Sequence, residues 1–262
     1  MPFREHQGLR YFYFESLENA GLKHGLFTRK GGGSGEPYQG LNLSYSVGDD
    51  RTTVTENIDL ACAAIGRPRS SLYDAWLVHG ADYQVAEAPR PEHEWAPQAD
   101  ILLTDKPAVT LFLRYADCVP ILIFDPRRGT MALAHAGWKG SLLDVAGKAV
   151  GAMQAEFGSQ PQDMLAALGP AICVQHYTVG AELVEAVRGV FGPRAEGLLQ
   201  GSNGATQFDL LAANRLALQS AGVGQVEECG LCTASETQDW FSHRGEGGRT
   251  GRFGVLMALD PA

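Results

Sequence analysis

Residues 109–140 read VTLFLRYADCVPILIFDPRRGTMALAHAGWKG. Two apolar runs are broken at Ala116-Asp117-Cys118-Val119-Pro120, and a third run ends at His135 before a Gly-Trp-Lys-Gly turn. Runs this apolar and this short predict buried strands. The stretch therefore predicts three strands at the centre of a sheet, with a thiol in one break and an imidazole at the next strand's end.

Working outward, Ser141 to Phe157 carries apolar residues at helical spacing and stops at Gly158, so a helix is expected to follow the turn. Residues 51–66 predict another helix, ending at Gly66, and 178–192 and 208–221 two more. AWLVHGADYQVAEA around His79, MLAALGP and the terminal FGVLMALD read as strands. HGLFT and LNLSYSV, also strand-like, flank the glycine-rich loop TRKGGGSGEPYQGLNLS (28–44). Strands and helices mix without a strict βαβ rhythm. The expected class is α+β, with mixed β-sheets packed together and covered by helices in a single domain over 1–262, rather than a doubly wound parallel sheet.

The 262 residues are 45% hydrophobic and 19% charged, an ordinary globular balance, and no internal repeat is visible. A net charge of −9 without a basic stripe argues against nucleic acid as a partner. No stretch approaches the roughly 20 apolar residues of a membrane helix, and MPFREHQGLR is too polar for a secretory signal. A cytoplasmic location is the expectation. The five cysteines are scattered and odd in number, which fits thiols or ligands better than a disulfide framework.

His79, Cys118 and His135 stand at the ends of apolar stretches, 39 and 17 residues apart. Zinc fingers draw on tighter clusters. Long gaps suit a catalytic site in which separate strands deliver one ligand each and a fourth position stays open for water or substrate. Zinc in such a site lowers the pKa of bound water to about 7. Each residue alone also reads as a satisfied core histidine or a buried thiol, and spacing does not show that the three meet. Asp117 reads equally as a general base or a group that orients a ligand, and as a turn cap. Cys229-Gly-Leu-Cys232 is a lone CxxC, half a zinc site or a redox pair. FSHRGEGGRTGR (241–252) and Arg29-Lys30 set basic side chains among glycines, as phosphate or carboxylate recognition uses and as solvated turns also do.

The ordered motifs FTRKGGGSGEPYQGLNLSYSVGDD, VHG, YADCVPILIFD, AHAGWKG, LGPAI, YTVG, FDLLAANRLAL, CT and FS-x-R…TGR resemble the laccase-domain, or polyphenol-oxidase-like, family, some of whose members are called YfiH or peptidoglycan editing factor. The resemblance runs from about Gly25 to the C-terminus. It implies an α+β fold and a single zinc or copper ion held by the residues matching His79, Cys118 and His135. It also implies purine nucleoside phosphorylase activity on adenosine, inosine and methylthioadenosine, with adenosine deaminase activity. The chain departs from the family pattern at Leu77, where glutamine is usual, and at His176-Tyr177 in place of Cys-Tyr. It departs again at Ser242-His243-Arg244-Gly245-Glu246, where a second arginine is usual.

On this reading zinc is the cofactor, with copper able to occupy the same site, and a nucleoside and phosphate are the partners. His79, Cys118, His135 and Asp117 are the catalytic candidates. Arg29, Lys139 and Arg244 are candidates for phosphate, and Asn42 for sugar or base. One alternative is a cysteine hydrolase, with Cys118 as nucleophile on a peptidoglycan precursor. Others are a copper-dependent polyphenol oxidase and a non-enzymatic metal-binding module. Seven histidines with no His-X-His pair cannot furnish a multicopper oxidase centre, so oxidase activity would reflect copper in the single site.

Overall fold

The computed structural model describes residues 2–202 and 204–260. Among them the strands are β1 (Phe3–His6), β2 (Leu9–Phe12), β3 (Leu22–Phe27), β4 (Leu72–Asp74), β5 (Tyr83–Val85), β6 (Ile101–Thr104), β7 (Thr110–Tyr115), β8 (Val119–Asp125) and β9 (Thr130–Ala136). They continue with β10 (Leu165–Leu168), β11 (Thr178–Val179), β12 (Leu199–Ser202), β13 (Ala205–Phe208), β14 (Gln225–Glu228) and β15 (Phe253–Leu259). The α-helices are α1 (Glu15–Asn19), α2 (Arg51–Ala64), α3 (Trp138–Leu142), α4 (Val145–Phe157), α5 (Ala181–Phe191) and α6 (Leu210–Ser220).

Two six-stranded mixed sheets carry the fold. One has the order β1-β2-β3-β15-β7-β4, the other β14-β10-β8-β9-β6-β5, and β11-β13-β12 form a small third sheet. β8 and β9 are buried along their whole length, and their side chains alternate between two cores. Val119, Ile121, Ile123, Ala132 and Ala134 face a core shared with Val145, Ala149 and Met153 of α4 and Ala213 and Leu218 of α6. Leu122, Phe124, Met131 and Leu133 face the other way, onto Leu111, Leu113, Val255 and Met257 of the first sheet. α2 closes that sheet's far side through Val54, Ile58 and Ala61 against Phe112 and Leu256. The layers therefore run helix, sheet, sheet, helices. Strands buried on both faces read as continuous apolar runs, which is why 109–136 was legible.

The α+β expectation holds, and so do the strands at 109–136, 165–168 and 253–259 and the helices α2, α5 and α6. Three local readings need correction. LNLSYSV is not a strand: Leu41 and Leu43 are buried, but Asn42 and Ser44 bond each other locally and a 3-10 turn follows at Tyr45–Val47. AWLVHGADYQVAEA holds a strand only at β5, because at His79 a left-handed φ of 58° interrupts the extended chain. Gly-Trp-Lys-Gly is the start of helix α3 instead of a turn before a helix, and the expected single helix is two. They are split at Asp144, which has φ 59° and caps α4 by accepting from the Gly147 N–H at 3.2 Å.

Candidate active site and metal centre

Strand register brings the first two candidates together. β8 and β9 pair antiparallel with Val119 opposite Ala136 and Pro120 opposite His135, so Cys118 comes alongside the His135–Gly137 end of β9. β6 pairs with β9 on its other side with Ile101 opposite Ala134, which sets Asp100 against His135. The His135 backbone N–H donates to the Asp100 carbonyl at 2.8 Å, and its ring Nδ1–H donates to Asp100 Oδ1 at 2.9 Å.

The third candidate arrives on a loop fixed by the same carboxylate. Asp100 Oδ2 accepts from the Gly80 N–H at 2.7 Å and the Val78 N–H at 3.2 Å, and the residue between them is His79. His79 and His135 then face each other edge-on, with ring centroids 5.0 Å apart at 78°. One donor atom from each of His79, Cys118 and His135 lies within 4.8 Å of the others. Both His79 (φ 58°) and Asp117 (φ 83°) are left-handed non-glycine residues. Such backbone costs on the order of 1–3 kcal/mol and persists where neighbours over-determine it, often at functional sites.

The residues present fit a metal ion. With Nδ1 bonded to Asp100, the His135 ring keeps Nε2 as a free donor, the carboxylate–histidine arrangement that supports metal ligands. Two imidazoles and a thiol form a donor set suited to zinc or copper, with a position left for a further ligand. Gly137 keeps the space open, because a Cβ there would lie 2.9 Å from Cys118 Sγ and 3.4 Å from His79 Cδ2. Burial alone would raise the Cys118 pKa, but His135 and His79 outweigh it and hold the thiol below its ordinary value. Burial would lower that of His135, and the Cys118 thiolate and Asp100 reverse the direction. Asp100, itself buried, is held below the usual carboxylate range by His135 and the two loop amides.

The triad opens into a cavity of about 990 Å³. Tyr177, Trp76, Trp138 and Ile172 supply apolar wall, and Arg244, Arg252 and Arg114 supply charge. Arg114 is committed to Asp74 at 2.7 Å. Among the described residues Arg244 and Arg252 have no carboxylate partner: Arg244 Nη1 donates to the Thr178 carbonyl, and Arg252 Nη1 to the Thr250 and Gly251 carbonyls. Arg244 also lies over the Tyr177 ring, 5.1 Å from its centroid.

The other candidates fare differently. Asp117 lines the cavity, but its carboxylate accepts from Thr233 Oγ1 at 2.6 Å, Ser242 Oγ at 2.7 Å and the Arg244 N–H at 2.6 Å. It therefore anchors the loop that carries Arg244, the orienting role that the sequence offered beside that of a general base. Asn42 is fully buried. Its Nδ2 donates to the Ser44 carbonyl and Asp49, and its Oδ1 accepts from the Ser44 and Arg252 N–H groups. It clasps two loops and has no atom left for a sugar or base. Arg29 pairs with Glu246 at 2.7 Å beneath Phe241, away from the cavity. Lys139 is exposed beside Trp138 and does not line the cavity. Two contributors were missed from sequence. Asp100 had a weak signal, an acid directly before the apolar ILLT, and Arg252 stood in plain view in the TGR motif.

A family profile described as multi-copper polyphenol oxidoreductase laccase matches residues 23–260. The chain belongs to this family. It is 36% identical to a purine nucleoside phosphorylase of Deinococcus radiodurans, over 92% of this chain and 90% of that one. It is 38% identical to the purine nucleoside phosphorylase YlmD of Geobacillus stearothermophilus, over 89% and 88%. Among solved structures, the hypothetical protein YfiH of Bacillus licheniformis superposes with a TM-score of 0.91 at 30% identity, covering 99% of each chain. The family description names several coppers. Among the described residues, however, the imidazole and thiol donors gather in two groups, His79-Cys118-His135 and Cys173-His176-Cys232, and neither is a three-copper cluster's ligand set. No helix of the described residues is long and apolar enough to cross a membrane.

Proposed function

We propose that this protein is a metal-dependent purine nucleoside phosphorylase acting on adenosine, inosine and methylthioadenosine, with adenosine deaminase activity at the same centre. The observation that carries the reading is one cavity holding both a His-Cys-His donor set and arginines that have no carboxylate partner among the described residues, Arg244 and Arg252 among them. The names of the relatives in Deinococcus and Geobacillus support the same class. Bound zinc supplies Lewis acidity and activates water near neutral pH, and copper would compete for the same donors.

The residues of the chain divide the rest of the work. Arg244 and Arg252 hold phosphate by charge-assisted hydrogen bonds. Asp117, through the Arg244 N–H, fixes the loop that presents the first guanidinium. Burial lowers the Arg252 pKa from its ordinary value, so an anion is the partner that side chain lacks. Tyr177, Trp76 and Trp138 offer faces for a purine. In phosphorolysis a phosphate oxygen bonds to ribose C1′ as the bond to the purine nitrogen breaks, and the base leaves with a proton. Incubation with adenosine or inosine and phosphate is expected to yield free base and ribose-1-phosphate. No product above that of a Cys118→Ala variant would reject the reading.

The depressed Cys118 pKa beside His135 favours one competitor, a thiol hydrolase working on cell-wall precursors. Iodoacetamide separates the two. A ligating Cys118 resists alkylation until a chelator is added, whereas a free nucleophile is alkylated at once and the chelator changes nothing.

A further inference from the structure

The second group of donors has two members, Cys173 and His176, next in sequence to the cavity-lining Ile172 and Tyr177, and lies in segments with little regular structure. Cys173, His176 and Cys232 each place one donor atom within 4.8 Å of the others. His176 Nδ1 is 3.1 Å from Cys173 Sγ and 3.6 Å from Cys232 Sγ. On a tetrahedral zinc, with Zn–S about 2.3 Å and Zn–N about 2.0–2.1 Å, sulfur and nitrogen stand about 3.6 Å apart. One of the two contacts already has that separation, and the other needs to open by roughly 0.5 Å. The Cys173 N–H donates to Cys232 Sγ at 3.2 Å, the kind of outer contact that orients a ligating sulfur. Glu236 borders the group, accepting from the Cys232 N–H at 3.3 Å.

The sequence pointed elsewhere. Its CxxC paired Cys229 with Cys232, but Cys229 stands apart from the donor group, and burial pushes its thiol up to about 12. The ligand pattern is instead Cys173-x-x-His176 with Cys232 joining from 56 residues on. Cys232 is buried and Cys173 half-buried, while the His176 ring is exposed and gives an ion its approach.

We propose that Cys173, His176 and Cys232 form a second, structural zinc site, completed by water, that ties residues 171–177 to residues 231–233. Binding displaces the two thiol protons to solvent. The site cross-links the supports of the cavity. The Ile172 N–H donates to the Asp117 carbonyl at 3.0 Å, Thr233 Oγ1 donates to Asp117 Oδ1, and Tyr177 carries Arg244.

The test is cobalt(II) binding to the reduced full-length protein, read by equivalents bound and by thiolate-to-cobalt charge-transfer absorption. Wild type is expected to bind two equivalents. Cys118→Ala is expected to bind one, with the charge-transfer band retained, because the only remaining thiolate ligands are Cys173 and Cys232. Adding His176→Gln at its exposed position keeps both thiols and should weaken that equivalent at least about tenfold, the lower end of what losing even an outer-shell partner costs. Circular dichroism identical to that of Cys118→Ala would show that the double variant is folded. The proposal is overturned if reduced Cys118→Ala takes up no cobalt, or if His176→Gln leaves its binding unchanged. It is equally overturned if Cys173 and Cys232 are isolated as a disulfide and still bind no metal after reduction. The readout is metal binding alone, so it stands or falls independently of nucleoside chemistry.

Discussion

His24 on β3 and His135 on β9 are both buried imidazoles inside strands, 6% and 3% exposed. His24 has both ring nitrogens occupied by backbone: Nδ1–H donates to the Leu22 carbonyl at 3.0 Å, and Nε2 accepts from the Phe14 N–H at 2.8 Å. That ring is neutral, and burial lowers its pKa to about 4. His135 has one nitrogen on Asp100 and the other facing Cys118 and His79, and its pKa moves up instead of down. Burial does not separate a core histidine from a ligand. The separation lies in whether backbone occupies the second nitrogen or other donor side chains face it, and in whether a buried carboxylate backs the first.

The largest test of that contrast pairs Cys118→Ala with His24→Gln. Loss of the thiol should remove the cavity metal and lower phosphorolysis at least about a hundredfold, while His24→Gln leaves metal content and turnover within about twofold. Metal analysis and initial rates on the same samples decide it, and a large effect of His24→Gln on metal would break the comparison.

Asp100→Asn asks how much the backing carboxylate contributes. It should lower metal affinity or turnover about 10–100-fold, because His135 loses its orienting charge and the His79 loop loses its anchor. A chelator competition titration reads this directly. Replacement of Arg252 or Arg244 by alanine should act later in the sequence of events. Each is expected to raise the KM for phosphate about tenfold, as loss of a charge-assisted hydrogen bond does, with metal content unchanged.

The smallest effect belongs to His24 and to stability. Its folded pKa of about 4 lies below the usual value, so the unfolded chain binds a proton that the folded one refuses. The contribution is complete above pH about 6.5 and is lost as pH falls toward 4, at no more than about 1.4 kcal/mol per pH unit. Urea unfolding at pH 7.5 and pH 5 should show His24→Gln with the shallower pH dependence of the two proteins.

The same contrast explains what the sequence disclosed. Strands buried on both faces, such as β8 and β9, announce themselves by composition alone, and Cys118 and His135 stand at their ends. The left-handed turn at His79 did not show, because its cause is Asp100, which reaches it only after β6 has paired with β9. Asn42 and Arg29 looked available because they sit in a polar glycine-rich loop. Their partners Asp49, Arg252 and Glu246 are fixed by tertiary packing that spacing does not encode. Arg252, in turn, sits eight residues after Arg244 and lines the same cavity, so the glycine-rich segment delivers two guanidinium groups to it.

The central claim is that three distant segments hold one ion. Crystals of the zinc-loaded protein, measured on both sides of the zinc absorption edge, test it most directly. The account predicts an anomalous peak about 2.0–2.1 Å from a nitrogen of His79 and from His135 Nε2, and about 2.3 Å from Cys118 Sγ. A fully loaded protein with no peak between these three atoms would contradict it.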